Sequence, residues 1–207
     1  MEVSSADEFI KEIVGTGSNV FAFDTHTPSV NISYAVARKI KELKRDAVIV
    51  FLGHKAAKAQ MAYDFASRPF IDYVCYGEAD IPLKNLLKKL ENGFDINNLP
   101  QCRGFLMKLN GKIADCGAGE IVEDIDNLPI PDYSDFKEEI LNKKYSQPHR
   151  LDILDSRGCV NACHFCYERL FWPKYRTMSA KCLFEHVKKH TEDFRQINYF
   201  YFNGLLL

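Results

Sequence analysis

The residues best suited to chemistry stand together in one stretch, Arg157-Gly158-Cys159-Val160-Asn161-Ala162-Cys163-His164-Phe165-Cys166-Tyr167. Thiols at spacings of four and three residues can converge on one centre, and thiolates are the natural ligands of iron–sulfur clusters and of zinc. A four-iron cluster normally takes four cysteines. Cys159, Cys163 and Cys166 alone would leave one iron open, where reactive chemistry can occur, whereas a structural metal site closes its shell. Gly158 lets the chain turn tightly just before the first thiol. Zinc is the competing reading, with His164 or His149 as a fourth ligand, although His164 adjoins Cys163 and fits the same metal awkwardly. Thiols packed without any metal are the third. The chain has seven cysteines in all, and an odd number cannot close a complete disulfide framework. Cys75, Cys102, Cys116 and Cys182 are scattered and read as small buried hydrophobes.

The elements that must position this loop follow from hydrophobic periodicity. Residues 7–14 read as a short helix and 20–23 as a strand. Ile32, Val36, Ile40 and Leu43 recur at helical spacing over 31–44. A second apolar strand, 47–52, is closed by Gly53, and 56–66 reads as a helix of small residues. A third strand, 72–76, is closed by Gly77, and Leu83, Leu86, Leu87 and Leu90 mark a helix over 81–90 that ends at Asn92-Gly93. This rhythm predicts an α/β domain, a partial doubly wound parallel sheet covered by helices. A ligand would sit beyond the carboxyl ends of the strands, at turns 24–28, 53–55 and 77–80. Residues 105–109 and 112–116 flank Asn110-Gly111, a hairpin signal.

Residues 120–149 are rich in acids and carry Leu128-Pro129-Ile130-Pro131, which no helix interior tolerates. They read as a linker between a domain at 1–119 and a second at 150–207. The second holds a strand over 150–154, the cysteine loop, a helix capped by Ser179 and running to about residue 194, and a strand over 197–202. Two strands and one helix make neither a barrel nor an open sheet of normal size. The last residues, Leu205-Leu206-Leu207, are apolar. The expectation is a chain cut within a domain, or one that completes its sheet with a partner.

The chain has 207 residues, 27 of them basic and 28 acidic, a balance that argues against a surface built for a phosphate backbone. No apolar run reaches membrane-spanning length, and residues 1–8 lack the apolar core of a signal peptide. The expectation is a cytoplasmic protein with no membrane or nucleic-acid partner. Several residues carry two readings. Glu78 and Asp80 either meet a ligand amide or favour the start of the following helix. Thr25, Thr27 and Ser29 either face a ligand or form a turn. Arg157 either offsets the charge of a cluster or lies at the surface, and Arg176 pairs with an acid of the linker. The run Tyr199-Phe200-Tyr201-Phe202 reads as strand core.

Cysteine, three residues, cysteine, two residues, cysteine resembles the signature of the radical S-adenosylmethionine enzymes. Phe165 occupies the aromatic position before the third cysteine, and the loop follows a strand that would open a barrel. The resemblance implies that Cys159, Cys163 and Cys166 hold a [4Fe-4S] cluster and that its open iron takes the amino and carboxylate groups of S-adenosylmethionine. One electron from the cluster would then cleave the sulfonium to a 5'-deoxyadenosyl radical. Phe165 would pack against the cofactor region. Asn203 and Gly204, at the end of the next strand, lie where the family binds the methionine amino group, without the usual Gly-Gly-Glu wording.

Trp172-Pro173-Lys174-Tyr175-Arg176-Thr177-Met178-Ser179 resembles a stretch of the cobalamin-linked branch of that family, whose members place a cobalamin-binding domain before the barrel. Gly53-His54-Lys55-Ala56, the strand ending in Gly77-Glu78, and the connection Leu128-Pro129-Ile130-Pro131-Asp132-Tyr133 resemble its motifs in order. The resemblance implies a cobalamin-binding-like domain, incomplete at its N-terminus, and the N-terminal part of a radical enzyme's partial TIM-type barrel. Thr25, Gly53, Gly77 and Glu78 would face cobalamin. Asp24-Thr25-His26 matches the first half of the family's histidine signature, but Ser29 stands where glycine is wanted, so cobalamin would bind without a protein histidine on cobalt. The implied activity is radical chemistry, including cobalamin-dependent methyl transfer, on a small-molecule or peptide substrate, with flavodoxin or ferredoxin as reductant. The alternatives are a non-catalytic iron–sulfur or zinc scaffold and an inactive gene remnant.

Overall fold

The structure is a computed structural model that describes residues 6–53, 56, 59–92, 102–137, 150–161, 163–166, 168–197 and 199–204. His54, Lys55, Gly93, His149, Tyr167 and Leu205-Leu206-Leu207, singled out above, lie outside the described residues. The chain divides into two compact units, Met1–Ile121 and Val122–Leu207. Among the described residues no helix is long and apolar enough to cross a membrane.

The first unit runs α1 (Ala6–Gly15), β1 (Val20–Asp24), α2 (Val30–Leu43), β2 (Val48–Leu52), α3 (Ala59–Ser67), β3 (Tyr73–Cys75), α4 (Asp80–Glu91), β4 (Phe105–Leu109) and β5 (Lys112–Asp115). The five strands form one sheet in the order β1-β2-β3-β4-β5. The first three are parallel, in the register Val20↔Val48 and Val50↔Tyr73. β4 joins β3 antiparallel, and β5 joins β4 antiparallel.

The sheet is therefore mixed: the expected parallel strands are joined on the β3 edge by the expected hairpin, whose β4 runs antiparallel to β3. The reason is local. Asn110 and Gly111, at φ 50° and 75°, form a two-residue turn, and such a turn joins only antiparallel neighbours. The strand order also runs without reversal among the described strands, so the doubly wound pattern is absent from them.

Alternation along the strands explains why both faces are covered. Ile49, Phe51, Val74 and Leu106 pack with Ile10 of α1, Ala37 and Ile40 of α2, and Ala62 and Phe65 of α3. Val50, Tyr73, Cys75, Phe105 and Met107 pack with Leu86 of α4 on the opposite side. A strand apolar at every position, Val48-Ile49-Val50-Phe51-Leu52, is what a strand between two such layers requires. Phe51 is the centre of an aromatic cluster, with ring centroids 5.2 Å from Phe23, 5.4 Å from Phe65 and 5.8 Å from Tyr34.

The second unit runs β6 (Arg150–Ile153), β7 (Ser156–Arg157), α5 (Glu168–Phe171), β8 (Arg176–Thr177), α6 (Ala180–Asp193) and β9 (Tyr199–Phe202). β6 pairs parallel with β9, β7 pairs antiparallel with β8, and no closed barrel is seen. The described part of the expected linker packs into this unit. Asp126 accepts the amide of Ser179, which in turn caps α6 by accepting the amide of Cys182. Arg176 donates to the carbonyl of Val122, and Lys174 pairs with Glu123. Tyr199, Tyr201 and Phe202 are more than a third exposed, contrary to the expected strand core, because β9 has a described neighbour on one edge alone, β6.

Candidate functional site

The cysteine loop is held at its base by a short ribbon. β7 and β8 align Ser156 with Thr177 and Arg157 with Arg176, and the amide of Met178 donates to the carbonyl of Asp155. Residues 158–175 thus leave and re-enter the unit at one place. Gly158, at φ 82°, sits against the Lys174 carbonyl and Tyr175, so a Cβ there would collide with backbone. Glycine is needed at that point for both reasons. Arg157 is buried, with its guanidinium 5.1 Å from the ring centre of Trp172, and Trp172 stands edge-on to the buried Phe171 at 4.5 Å. Its surface reading is thereby corrected: the stem of the loop packs this cation against an aromatic face.

Within the loop, the amide of Asn161 donates to Cys159 Sγ at 3.4 Å and the amide of Cys166 to the Cys163 carbonyl at 3.1 Å. All three thiols are free, Cys163 exposed and the other two partly so. Phe165 is 92% exposed. Among the described residues no three His, Cys, Asp or Glu side chains are gathered so as to hold a metal. The donor set is nevertheless the right chemistry for an iron–sulfur cluster: soft, accessible thiols, one already accepting a backbone N–H.

Asn203 and Gly204 lie beside the start of this loop. The Asn203 amide donates to the Ile153 carbonyl at 2.8 Å, extending the β6–β9 ladder by one bond. A Cβ on Gly204 would stand 2.5 Å from Ser156 Oγ and 2.6 Å from Asp155 Oδ1. Asp155 Oδ1 is buried with no hydrogen-bond partner. Sequence reasoning missed Asp155. Its signal was available, an acid directly after a strand and four residues before the first thiol.

In the first unit, the ends of the parallel strands bring Thr25, Gly53 and Gly77-Glu78 to the same edge of the sheet. Thr25 is buried, and its hydroxyl donates to the Leu52 carbonyl at 2.6 Å, tying β1 to β2. Gly53 (φ 94°) leaves room for the Asp24 carboxylate, while nothing lies within 4 Å of a Cβ placed on Gly77 (φ 90°). Glu78 is buried, and the residue capping α4, Ala79, makes no side-chain cap. His26 Nε2 stands 3.5 Å from Asp24 Oδ2. Burial raises the Cys75 thiol to about 12 and the Cys116 thiol to about 11, so both behave as neutral side chains.

No family model matches the chain. It is 24% identical over 175 residues to an anaerobic magnesium-protoporphyrin IX monomethyl ester cyclase of Cereibacter sphaeroides, covering 83% of this chain and 28% of that protein. It is 26% identical over 163 residues to an uncharacterized methyltransferase of Pyrococcus horikoshii, covering 78% and 34%. A cyclase of the same name from Synechocystis is 28% identical over 116 residues, covering 55% and 22%. Among solved structures, the apo form of the cobalamin-dependent S-adenosylmethionine radical enzyme OxsB matches with a TM-score of 0.69 at 15% identity, over 97% of this chain and 27% of that one. The chain spans 22% to 34% of the length of these relatives. Its fold is similar to part of that radical enzyme's, and its sequence is similar to part of the anaerobic cyclases.

Proposed function

We propose that the second unit is the cluster-binding start of a radical S-adenosylmethionine enzyme and the first unit its cobalamin-binding-like domain. The observation that carries this reading is a loop of three free thiols, clamped by the β7–β8 ribbon, directly after a strand of a parallel pair. Cys159, Cys163 and Cys166 would hold a [4Fe-4S] cluster. The Asn161 amide would lower the charge density on the Cys159 sulfur, one of the ways a protein raises a cluster's potential. Gly158 and the Arg157–Trp172 stack fix where the loop leaves the ribbon.

Phe165, Asn203 and Gly204 would line the S-adenosylmethionine side. Gly53, Gly77 and Glu78 would meet cobalamin, with Thr25 holding the strand ends together. The chemistry supplied at such a site, with its cofactors bound, is one-electron reductive cleavage of a sulfonium. The protein's part is to position, and to exclude competing reactions. A reductant of the flavodoxin or ferredoxin kind and a small-molecule or peptide substrate complete the proposal.

The test is anaerobic reconstitution of the chain with iron and sulfide. The expected product absorbs in the visible by sulfur-to-iron charge transfer and, once reduced, binds S-adenosylmethionine. Stoichiometric zinc without iron, in protein isolated anaerobically from iron-replete cells, would instead make this loop a structural metal site.

A further inference from the structure

We infer that His186 and His190 form a two-imidazole site for a borderline divalent metal ion, zinc above all, separate from the cysteine loop. The two lie four residues apart on α6, which puts them on one face of the helix in successive turns. That spacing lets two side chains of a helix reach a common ligand. His186 is 5% exposed and His190 1% exposed. His186 Nε2 and His190 Nδ1 are each shut away from solvent with no hydrogen-bond partner. An imidazole that merely fills a core satisfies its ring nitrogens, because a buried polar atom left unpaired is destabilising. Two such nitrogens, one turn apart, call for a partner that both can share.

The geometry sets the chemistry of that partner. Zinc–nitrogen bonds are about 2.0–2.1 Å long, so a metal between two imidazoles holds their ring centres roughly 4.5–6.5 Å apart, wider as the angle at the metal opens. The two rings stand 6.4 Å apart, at the wide end of that span, and rotation of either ring about its Cβ–Cγ bond narrows the angle. Imidazole suits zinc, copper and nickel, whereas magnesium and calcium take oxygen. Asp126, tied to the Ser179 amide at the start of the same helix, lies close enough to act electrostatically on His186, and its negative charge favours a cation there. Tyr133 packs on His190 at 5.2 Å and lines the other end. No third protein ligand joins the pair among the described residues, so water completes the shell. The role that follows is structural: the ion staples two turns of α6 together.

The experiment uses the full chain carrying Cys159→Ser, Cys163→Ser and Cys166→Ser, stripped of metal, so that whatever binds does so outside the loop. Zinc and magnesium are titrated separately at neutral pH. Binding is followed by equilibrium dialysis, by the thermal midpoint and by the ring-proton NMR signals of the six histidines. The expected result is one zinc per chain, no magnesium, a midpoint that rises with zinc because the ion binds the folded state, and movement of two histidine ring signals. His186→Gln and His190→Gln should each weaken zinc binding at least tenfold and abolish the rise in midpoint. If either variant is poorly folded, as its metal-free midpoint would show, the NMR count in the chain with both histidines decides. No saturable zinc binding, zinc that moves other than two ring signals, or variants that bind zinc as tightly as the chain with both histidines would each overturn the inference. With the loop thiols absent, none of these outcomes bears on the reading of the cysteine loop.

Discussion

The two units solve opposite problems. In the first, two layers of apolar side chains close over a five-stranded sheet, and even its cysteines serve as core: Cys75 and Cys102 are buried in it. In the second, Ser156, Arg157, Arg176, His186 and His190 are buried beside Ile125, Leu151, Ile153, Phe171 and Phe194, and the three loop thiols are exposed or half-exposed. Asp155, His186 and His190 each bury a polar atom without a hydrogen-bond partner. Apolar burial is the main source of folding free energy, and buried polar groups draw on it. The difference teaches that the first unit rests on two broad apolar layers, while the second buries a larger share of polar groups among its apolar ones, at a cost in stability.

The largest expected effect separates the two sets of cysteines. Cys159→Ala, Cys163→Ala and Cys166→Ala should each abolish iron binding after anaerobic reconstitution, measured as iron per chain and as visible absorption. Cys75→Ala and Cys116→Ala should bind iron as the parent does, because their thiols stay protonated in the apolar layer at about 12 and about 11. Iron retained in any of the first three variants would mean that the loop is not the binding site.

Next comes the core. Phe51→Ala should cost about 3–5 kcal/mol, the usual price of a cavity at a fully buried aromatic, because Phe51 is 0% exposed between three other rings. Phe165→Ala should change stability by less than about 0.5 kcal/mol, since that ring is 92% exposed. Urea titration of both variants decides the matter. Comparable losses would show that the cysteine loop belongs to the folding core.

These contrasts mark what the sequence could and could not convey. Apolar runs and helical stripes located β1, β2, β3 and α2, α4 and α6 to within a few residues, because burial on both faces leaves a direct imprint on residue type. Asn110-Gly111 located the hairpin. That hairpin gave the antiparallel β4–β5 pair, but not that β4 would join β3, because which strands become neighbours is a property of pairing and periodicity carries no trace of it. Arg157 was unreadable for a similar reason: its partner in space, Trp172, is fifteen residues away in a loop. The three thiols were legible because ligand chemistry restricts both residue type and spacing. Asp155 escaped because a single acid at a strand end has many ordinary uses.

Two glycines sharpen the comparison within the first unit. Both Gly53 and Gly77 have positive φ, so alanine at either should cost about 1–2 kcal/mol in backbone strain. Gly53→Ala carries a further penalty, because its Cβ would run into the Asp24 carboxylate and the Thr25 amide, whereas open space surrounds Gly77. The expected order of thermal midpoints is parent, then Gly77→Ala, then Gly53→Ala. If the open space at Gly77 is a place of close approach to a cofactor, Gly77→Ala should weaken cobalamin binding by more than its stability loss explains. An unchanged cobalamin affinity would remove Gly77 from the proposed site.

The smallest effect is one of pH, and it belongs to the second unit. His186 and His190 lie one turn apart on α6, with ring centroids 6.4 Å apart, and both are buried. Tyr133 packs on His190 at 5.2 Å. Burial lowers both imidazoles below their ordinary value; Asp126 partly opposes this at His186, and at His190 the neighbouring His186 and Lys189 add to it while Asp193 opposes it. The folded chain therefore prefers neutral rings. Its stability is whole above the ordinary histidine value of about 6.5 and shrinks as pH falls below it, where the unfolded chain takes up protons first. Asp126 and Asp132 are also held below their ordinary carboxylate value by hydrogen bonds from Ser179 and Ser134, so their contribution is lost only below about pH 4. Between pH 7.5 and 5.5 the histidines act alone among these groups. The thermal midpoint of the parent chain should fall across that interval, and His190→Gln should fall less, because it removes one of the two buried proton acceptors. A variant that loses as much as the parent would assign the acid sensitivity to groups elsewhere in the chain.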